Sequence, residues 1–282
     1  MMTDQLTDTA LVPAAEAPAG TEPARRPRGL SPRARDRLIG LASPVVLLAL
    51  WEVLARTGAI DARFFPPPSS IAVAFVRLCR TGELWANLSA SLVRLFWGYL
   101  LGGIPALLLG LAMGLYRPVR AMIDPLVAAT YPVPKSAILP LVLLIFGLGE
   151  ASKIVMVALG VFYPVLINTT AGVLQIDRIY LDVGKNFGAG RWQTFRTIAL
   201  PGAAPLIMAG IKLGVGMGLI LIAIAEMVGA QDGIGFMIWN AWQLMTVDTM
   251  YVGLIVIAVL GFGFSVALDE IERRIVPWKA RG

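Results

Sequence analysis

Ionisable side chains lie inside several long apolar stretches of this sequence, and each needs a partner or a function. Glu52, in the first stretch, needs a partner or a position near the surface; the others considered are Arg94, Lys135, Lys153, Lys212 and Glu226. An unpaired charge at the centre of a bilayer costs at least about 2.5–3.5 kcal/mol. The four cations are suited to a pathway for an anionic ligand, with Glu226 as a counter-ion for one of them. The alternative is that Arg94 and Lys153 extend to the headgroups from span ends, or form structural ion pairs.

Lys135 is the main pathway candidate because its apolar stretch is broken by prolines between residues 132 and 140. A broken helix at membrane depth is tolerated only where protein or a water-filled cavity satisfies the freed backbone groups. Asn168 and Thr169 add polar groups to another apolar stretch. They are candidates for the same pathway; the alternative is that they hydrogen-bond to the neighbouring backbone or across helices.

The sequence lacks the residues of the common catalytic sites. Histidine is absent, which excludes a Ser/His/Asp set, and Cys79 is the single cysteine. No G-x-x-x-x-G-K-[ST] loop is present to hold a phosphate chain, and no Cys/His cluster could ligate a transition metal. We therefore predict that the chain is not an enzyme and holds no cofactor or metal of its own.

The composition, with 57% hydrophobic and 15% charged residues, is typical of an integral membrane protein. Apolar segments of about 20 residues can cross a hydrocarbon core of about 30 Å as helices. Basic and aromatic residues are not interleaved as in nucleic-acid-binding proteins, so no nucleic-acid partner is expected. We predict an all-α membrane protein with about six spanning helices, at residues 38–57, 89–115, 123–148, 151–174, 204–228 and 250–268.

Small residues recur at intervals of four in two of these spans. The second span carries Gly102, Ala106, Gly110 and Gly114, and the fifth carries Gly210, Gly214 and Gly218. Such ridges let another helix approach closely inside a membrane. Both spans are therefore predicted to pack tightly against neighbouring helices.

Three regions are assigned along the chain. Residues 1–37 have almost no large apolar side chains and are predicted to form a disordered basic tail. Residues 38–276 are the transmembrane domain, and residues 277–282 are a second short tail. Basic residues concentrate in the first tail, in the loop after the second span, in residues 177–201 and after the last span. By the positive-inside rule, both termini and residues 177–201 are expected to be cytoplasmic.

Two connections lie on the other side of the membrane in this topology. In the first, Ser69 is predicted to cap a short helix that reaches Arg80. In the second, residues 231–249, a glycine turn at Gly233 and Gly235 is expected. The basic residues on this side are mainly Arg63, Arg77 and Arg80.

Residues 180–205 are the longest charged interruption in the second half of the sequence. If the segment is helical, Ile179, Val183 and Phe187 form a short apolar stripe. Gly188 then begins a Gly-Ala-Gly break, because glycine tolerates the positive φ of a tight reversal.

A second short helix is predicted after this break, with Trp192 and Phe195 on one side. Pro201 is expected to end it and to start the next span. The product is a helix-turn-helix elbow at the membrane surface with one apolar face, on which a partner should dock. The alternative is an amphipathic connector that lies on the headgroups.

The spacing in this elbow resembles the EAA loop of permease subunits in binding-protein-dependent ABC importers. That pattern reads Glu-Ala-Ala, three residues, Gly, nine residues and Ile-x-Leu-Pro. The corresponding residues are Asp182-Val183-Gly184, Gly188 and Ile198-Ala199-Leu200-Pro201. Asp182 stands where the family usually has Glu, and Gly184 stands where it usually has Ala.

The resemblance extends over residues 44–278, which look like the nitrate, sulfonate and taurine branch of these permeases. The matching stretches are Ser91–Arg94, Tyr131–Pro134, Leu139–Leu141, Phe146–Glu150, Asn168–Thr169, Ala225–Met227 and Asp232–Gly235. It implies a type I ABC importer permease-like bundle in the cell inner membrane. It further implies a second permease copy, two cytoplasmic ATPases that bind ATP and Mg²⁺, and an outer binding protein that delivers the ligand.

The resemblance also implies that the elbow, assigned as a coupling loop at residues 177–201, docks on the ATPase. The predicted docking set is Asp182, Val183, Gly184, Phe187, Gly188, Arg191, Trp192, Phe195, Leu200 and Pro201. Phe187, Trp192 and Phe195 are candidate contacts to the ATPase, and Asp182 and Arg191 are candidate polar contacts. The expected cargo is a small anion such as an alkanesulfonate, taurine or nitrate. Related permeases serve pyrimidine-type vitamin precursors and aromatic acids, so these remain alternatives. A self-contained secondary transporter or channel is the rival class; it predicts inverted repeats, and none is clear in this sequence.

Overall fold

The computed structural model describes residues 32–278, and within this range all regular secondary structure is helical. The helices are α1 (Pro32–Arg56), α2 (Pro68–Thr81), α3 (Glu83–Leu115), α4 (Arg117–Thr130), α5 (Leu139–Phe146), α6 (Glu150–Leu174), α7 (Arg178–Asn186), α8 (Arg191–Thr194), α9 (Leu200–Met227), α10 (Ile234–Gln243) and α11 (Val247–Ile275). A 3₁₀ turn (Lys135–Ile138) precedes α5, and a π-helical turn (Phe195–Ala199) precedes α9.

The first helix begins earlier than the sequence predicts. α1 starts at Pro32, so residues 32–37, which were predicted to be disordered, are helical. Proline suits the first turn of a helix, and the alanine and arginines that follow are good helix formers. The rest of the predicted tail, residues 1–31, lies outside the described residues. Among the described residues, 32–47 and 48–278 belong to two separate units.

Five of the six predicted spans coincide with helices of sufficient length and apolarity. Within the described residues, four single stretches qualify: α3, α6, Trp192–Met227 and α11. Arg117–Thr130 and Lys135–Phe146, which are bent by 85° at the predicted proline break, qualify as a fifth if the pair is counted as one span. The predicted span at residues 38–57 falls on α1, where several side chains are not described, and it stays a prediction.

The relative direction of α3 and α6 favours the bent pair as one span over a re-entrant loop. Gly98 lies beside Val157 and Gly114 beside Val173, so α3 and α6 run parallel. The chain between them therefore has to return from the end of α3 to the start of α6. We call the side where α3 and α6 end the elbow end and the opposite side the far end.

The small-residue ridges pack as predicted, and α6 lies between them. A Cβ atom added at Gly102 would lie 2.3 Å from the carbonyl oxygen of Ala158 on α6. One added at Gly210 on α9 would lie 2.8 Å from the carbonyl oxygen of Pro164. At these positions the backbones of α3 and α9 lie directly against the backbone of α6, because glycine has no Cβ atom to hold the helices apart.

Two elements at the far end differ from prediction. Ser69 does not cap α2, which begins after Pro67. Its amide and hydroxyl instead donate to the Glu52 carboxylate, at 3.0 and 2.7 Å, and Arg56 pairs with the same carboxylate at 2.5 Å. Residues 231–249 are not a plain connection, since they contain α10. Its buried residues Ile234, Met237, Ile238 and Ala241 recur at helical spacing, a signal that the sequence did carry.

Candidate functional site

The elbow is built from α7, a glycine turn and α8. The Asp177 carboxylate caps α7 by accepting a hydrogen bond from the Ile179 amide at 3.0 Å. At the other end, Gly188 has a φ of +72° and its amide donates to the Lys185 carbonyl. This left-handed conformation is the one expected for the break, and glycine adopts it without steric strain.

The second arm of the elbow does not end at Pro201, contrary to the prediction. The chain continues from α8 through the π-helical turn into α9, and Pro201 lies in the first turn of α9. The Leu200 amide donates to the Phe195 carbonyl, five residues back. Because Pro201 has no N–H to donate, a wider turn immediately before it keeps the helix continuous.

The apolar stripe of α7 faces away from the rest of the chain. Ile179 and Val183 are exposed, and Phe187 is 87% exposed. Trp192 on α8 is 71% exposed, and its ring lies 5.4 Å from that of Phe195. Large apolar side chains that a monomer leaves uncovered in one patch indicate an interaction surface.

Not every residue of the predicted docking set belongs to this exposed patch. Phe195 is half-buried and packs against Leu111, Val173 and their neighbours, so it fixes the elbow to the bundle. Gly184 is buried, and a Cβ there would lie 2.9 Å from Ile198 Cδ1. The glycine therefore allows α7 to pack on the second arm, a role that the sequence did not reveal.

The remaining elbow residues are placed as follows. Asp182 is exposed and pairs with Lys185 at 3.6 Å, one turn along α7. Leu200 lies exposed at the start of α9, next to Pro201. Arg191 begins α8, but its side chain is not among those that the structure describes.

A charge network lies near the far end, around the buried Arg94 of α3. Its Nε and Nη2 atoms each donate to Glu150 at 2.6 Å, and Nη1 donates to Glu226 at 2.9 Å. Nη1 also donates to the Asp232 carbonyl, and Nη2 donates to the Asp232 carboxylate at 2.5 Å. All five N–H groups of the guanidinium are therefore used.

Glu226, from the last turn of α9, is the fully buried member of this network. Its carboxylate accepts hydrogen bonds from Ser91 Oγ at 2.8 Å and from the Gly235 amide at 2.9 Å, besides that from Arg94. Ser91 Oγ in turn accepts the Ile234 amide. The network thus joins α3, α6, α9 and the loop before α10.

This geometry corrects the interpretation of Arg94 as a free cation on an anion pathway. Arg94 faces three carboxylates and has no N–H left for a ligand, an arrangement that favours the stated alternative of a structural ion pair. Glu226 pairs with one of the cations, as predicted. Lys153 is also buried, and its ammonium donates to the Leu148 and Gly149 carbonyls at 2.6 and 3.0 Å, where it caps the turn before α6.

Lys135 lies at the break of the bent pair and is bound to its backbone. The ammonium donates to the carbonyls of Thr130, Tyr131 and Val133 at 3.1, 2.8 and 2.8 Å. In an uninterrupted helix the Thr130 carbonyl would accept from residue 134, which is a proline without an N–H. The side chain therefore replaces lost backbone donors, and it also lies 4.2 Å from the ring centroid of Tyr163.

The other pathway candidates lie apart from one another. Lys212 on α9 pairs with Asp269 and Glu272 of α11 near the elbow end. Asn168 donates to the Pro164 carbonyl on its own helix at 2.8 Å, which confirms the backbone alternative. Thr169 Oγ1 is buried and has no hydrogen-bond partner among the described atoms. The Cβ and methyl carbon of Thr169 pack against Gly110 of α3.

Ser91, Glu150 and Asp232 were not predicted as members of the network around Arg94. A signal was present, because each of them belongs to a stretch that resembles the permease family. The stretches Ser91–Arg94, Phe146–Glu150, Ala225–Met227 and Asp232–Gly235 all meet at Arg94.

Comparison with known proteins agrees with this architecture. The taurine transport system permease protein of Escherichia coli (strain K12) is 34% identical over 262 residues, covering 90% of this chain and 94% of the relative. A Bacillus subtilis (strain 168) protein named as an aliphatic sulfonates transport permease is 33% identical over 240 residues, covering 85% and 87%. An E. coli (strain K12) protein of the same description is 35% identical over 235 residues, covering 83% and 89%.

A solved structure shares the fold. The chain resembles part of a methionine ABC transporter in an inward-facing conformation with a TM-score of 0.51 and 21% identity, over 69% of this chain and 95% of that one. Residues 106–277 match the family model described as the inner membrane component of binding-protein-dependent transport systems. The protein is thus a member of this family of ABC importer permeases, and its helices form a type I importer bundle.

Proposed function

We propose that this chain is the membrane-spanning subunit of an ATP-driven importer for a small sulfonate. A cytoplasmic ATPase drives its conformational change through the elbow. The coupling role is inferred from the exposure of four large apolar side chains on the elbow between α6 and α9: Ile179, Val183, Phe187 and Trp192. Three relatives named for taurine or aliphatic sulfonates, all at 33–35% identity, support the cargo class. Nitrate, pyrimidine-type precursors and aromatic acids are the competing cargoes.

The proposed orientation places the elbow end in the cytoplasm. Arg117, Arg120, Lys185 and Arg196 lie at this end together with the last turn of α11, which fits the positive-inside rule. Two ATPase subunits, which bind the ATP and Mg²⁺, would then contact the elbows of two permease copies. An extracytoplasmic binding protein would deliver its ligand at the far end.

A second copy of the chain is proposed to cover the bent pair α4–α5. None of the described residues of α4 is buried within this chain. The exposed apolar side chains include Met122 and Leu126 on α4 and Leu144 on α5. Lipid could cover such side chains, but the interrupted backbone at Pro132–Pro134 needs protein or water around it at membrane depth. The break with Lys135 is therefore proposed to line the pathway between two copies.

The importer mechanism predicts that uptake depends on ATP hydrolysis by the partner. The permease would be co-expressed with its ATPase and binding protein in cells that lack other sulfonate uptake, and accumulation of labelled taurine would be measured. Disabling the phosphate-binding loop of the ATPase should abolish accumulation. Accumulation that continues with the disabled ATPase would favour the secondary transporter instead. Parallel uptake of nitrate and an aromatic acid would test the cargo class.

Replacing Gly188 by valine should uncouple ATP hydrolysis from transport without removing the bundle from the membrane. Open space surrounds Gly188, so the substitution acts through backbone strain at φ +72° and not through a clash. A left-handed conformation costs an ordinary residue about 1–2 kcal/mol, and a β-branched one more.

The matched control for this variant is Gly190→Val, because Gly190 also has open space around it but an ordinary φ. Uptake and ATPase activity would be measured on the same vesicles for both variants. We expect reduced uptake per ATP for Gly188→Val alone. Equal coupling in the two variants would mean that Gly188 does not set the shape of the elbow.

A further inference from the structure

An apolar groove of about 580 Å³ runs along the bundle near the far end. It is bounded by the end of α1, by α2, by the start of α3 and by the first half of α11. Its walls include Trp51, Phe75, Trp85, Leu88, Val256 and Val259. Val252 and Val259, both of which line it, are seven residues apart on α11, so the groove extends about 10 Å along the spanning direction.

A second, polar-ended cavity of about 560 Å³ adjoins this groove on α2. The two share Ala72 and Val76, and the second is completed by Arg77 and Arg80. Both arginines are exposed, and neither pairs with a carboxylate among residues 32–278. The Arg77 Nη2 atom donates to Thr249 Oγ1 at 3.3 Å, which leaves most of the guanidinium donors available.

We propose that the two cavities together form a binding site for one anionic phospholipid of the leaflet at the far end. An acyl chain lies in the apolar groove, and the phosphate lies between Arg77 and Arg80. The charge complementarity is direct, since guanidinium groups bind phosphate oxygens through paired N–H donors. The inference is independent of the cargo and of the elbow.

The combination of cavities favours a lipid over other occupants. A free phosphate would leave the apolar groove unfilled. A purely apolar partner would leave the two arginines without an anion to bind. A second copy of the chain is proposed above to bind at the bent pair α4–α5, whose residues do not line this groove. The groove also continues onto exposed apolar residues of α11, which is a spanning helix in contact with lipid in the proposed assembly.

The test is native mass spectrometry of the complete transporter after purification from vesicles of defined composition. Wild-type protein would be compared with the double variant Arg77→Gln/Arg80→Gln and with Ala72→Trp, which fills the junction of the two cavities at an exposed position. Arg63→Gln is the matched control. Arg63 lies in the neighbouring loop and is already bound by Asp61, whose pKa it lowers through a side-chain hydrogen bond.

We expect phosphatidylglycerol to remain bound to the wild type and to Arg63→Gln, and phosphatidylcholine to be lost. Each arginine near an anionic headgroup should contribute about fivefold in retention, so the double variant should retain roughly 25-fold less phosphatidylglycerol. Ala72→Trp should lose it as well. Equal retention by the double variant, equal retention of both lipids, or competition by inorganic phosphate alone would overturn the proposal. So would dissociation of the permease pair by Ala72→Trp, because the groove would then hold a second copy.

Discussion

Replacing Arg94 by methionine should destabilise the bundle by about 3–5 kcal/mol, because it leaves the Glu226 carboxylate buried without its counter-ion. Glu226 has no exposed side-chain surface, whereas Glu150 and Asp232 are more than half exposed. Water can therefore stabilise the last two carboxylates after the substitution, but not Glu226. The loss should appear as a lower yield of folded protein in the membrane and as a lower unfolding temperature of the purified transporter.

A double-mutant cycle separates this ion pair from simple loss of packing. The variant Arg94→Met/Glu226→Leu removes both charges and should recover part of the stability that Arg94→Met loses, since a buried pair can be replaced by apolar groups at little cost. Arg94→Lys is the charge-conserving control. Lysine has three donors in place of five and cannot hydrogen-bond to all the acceptors around Arg94. The stability of Arg94→Lys should therefore lie between those of the wild type and Arg94→Met. A double variant as unstable as the sum of the two single variants would show that the two charges do not depend on each other.

The parts of this structure that the sequence predicted depend on short-range spacing. The glycine at 188 with its positive φ and the ridge from Gly102 to Gly114 are each defined within a few helical turns. A repeat of small residues identifies the contact face whatever helix lies opposite. The proline break near Lys135 was predicted for the same reason, because proline disrupts a helix locally.

The network around Arg94 could not be predicted as a unit, because its members are far apart in the chain. Arg94 and Glu226 are separated by 132 positions and Arg94 and Glu150 by 56. Nothing in the local sequence indicates that three carboxylates converge on one guanidinium. The same holds for Gly184, whose contact with Ile198 depends on the angle between the two arms of the elbow. A sequence indicates that a buried charge needs a partner, but the fold decides which partner it has.

Adding one methyl group at Gly102 should disrupt the packing of α3 on α6, whereas the same change at Gly103 should not. A Cβ at Gly102 would lie 2.3 Å from the Ala158 carbonyl oxygen and 2.7 Å from the Ala158 Cα, so the two helices must move apart. Overpacking of this kind typically destabilises by about 1–3 kcal/mol. At Gly103 the nearest atoms, in Tyr99 and Val161, would lie at 3.4 and 3.5 Å, which is ordinary contact.

The pair Gly102→Ala and Gly103→Ala is therefore matched in chemistry, helix and depth in the membrane. Alanine is the better helix former by about 1 kcal/mol, so Gly103→Ala should keep or raise the unfolding temperature, and Gly102→Ala should lower it in spite of that gain. Gly102→Leu should prevent assembly, measured as loss of the monodisperse transporter in size-exclusion chromatography. Because α6 also carries Glu150 at its first turn, separation of α3 from α6 should weaken the Arg94 network too. Equal unfolding temperatures for the two alanine variants would mean that α3 and α6 do not pack backbone to backbone at Gly102.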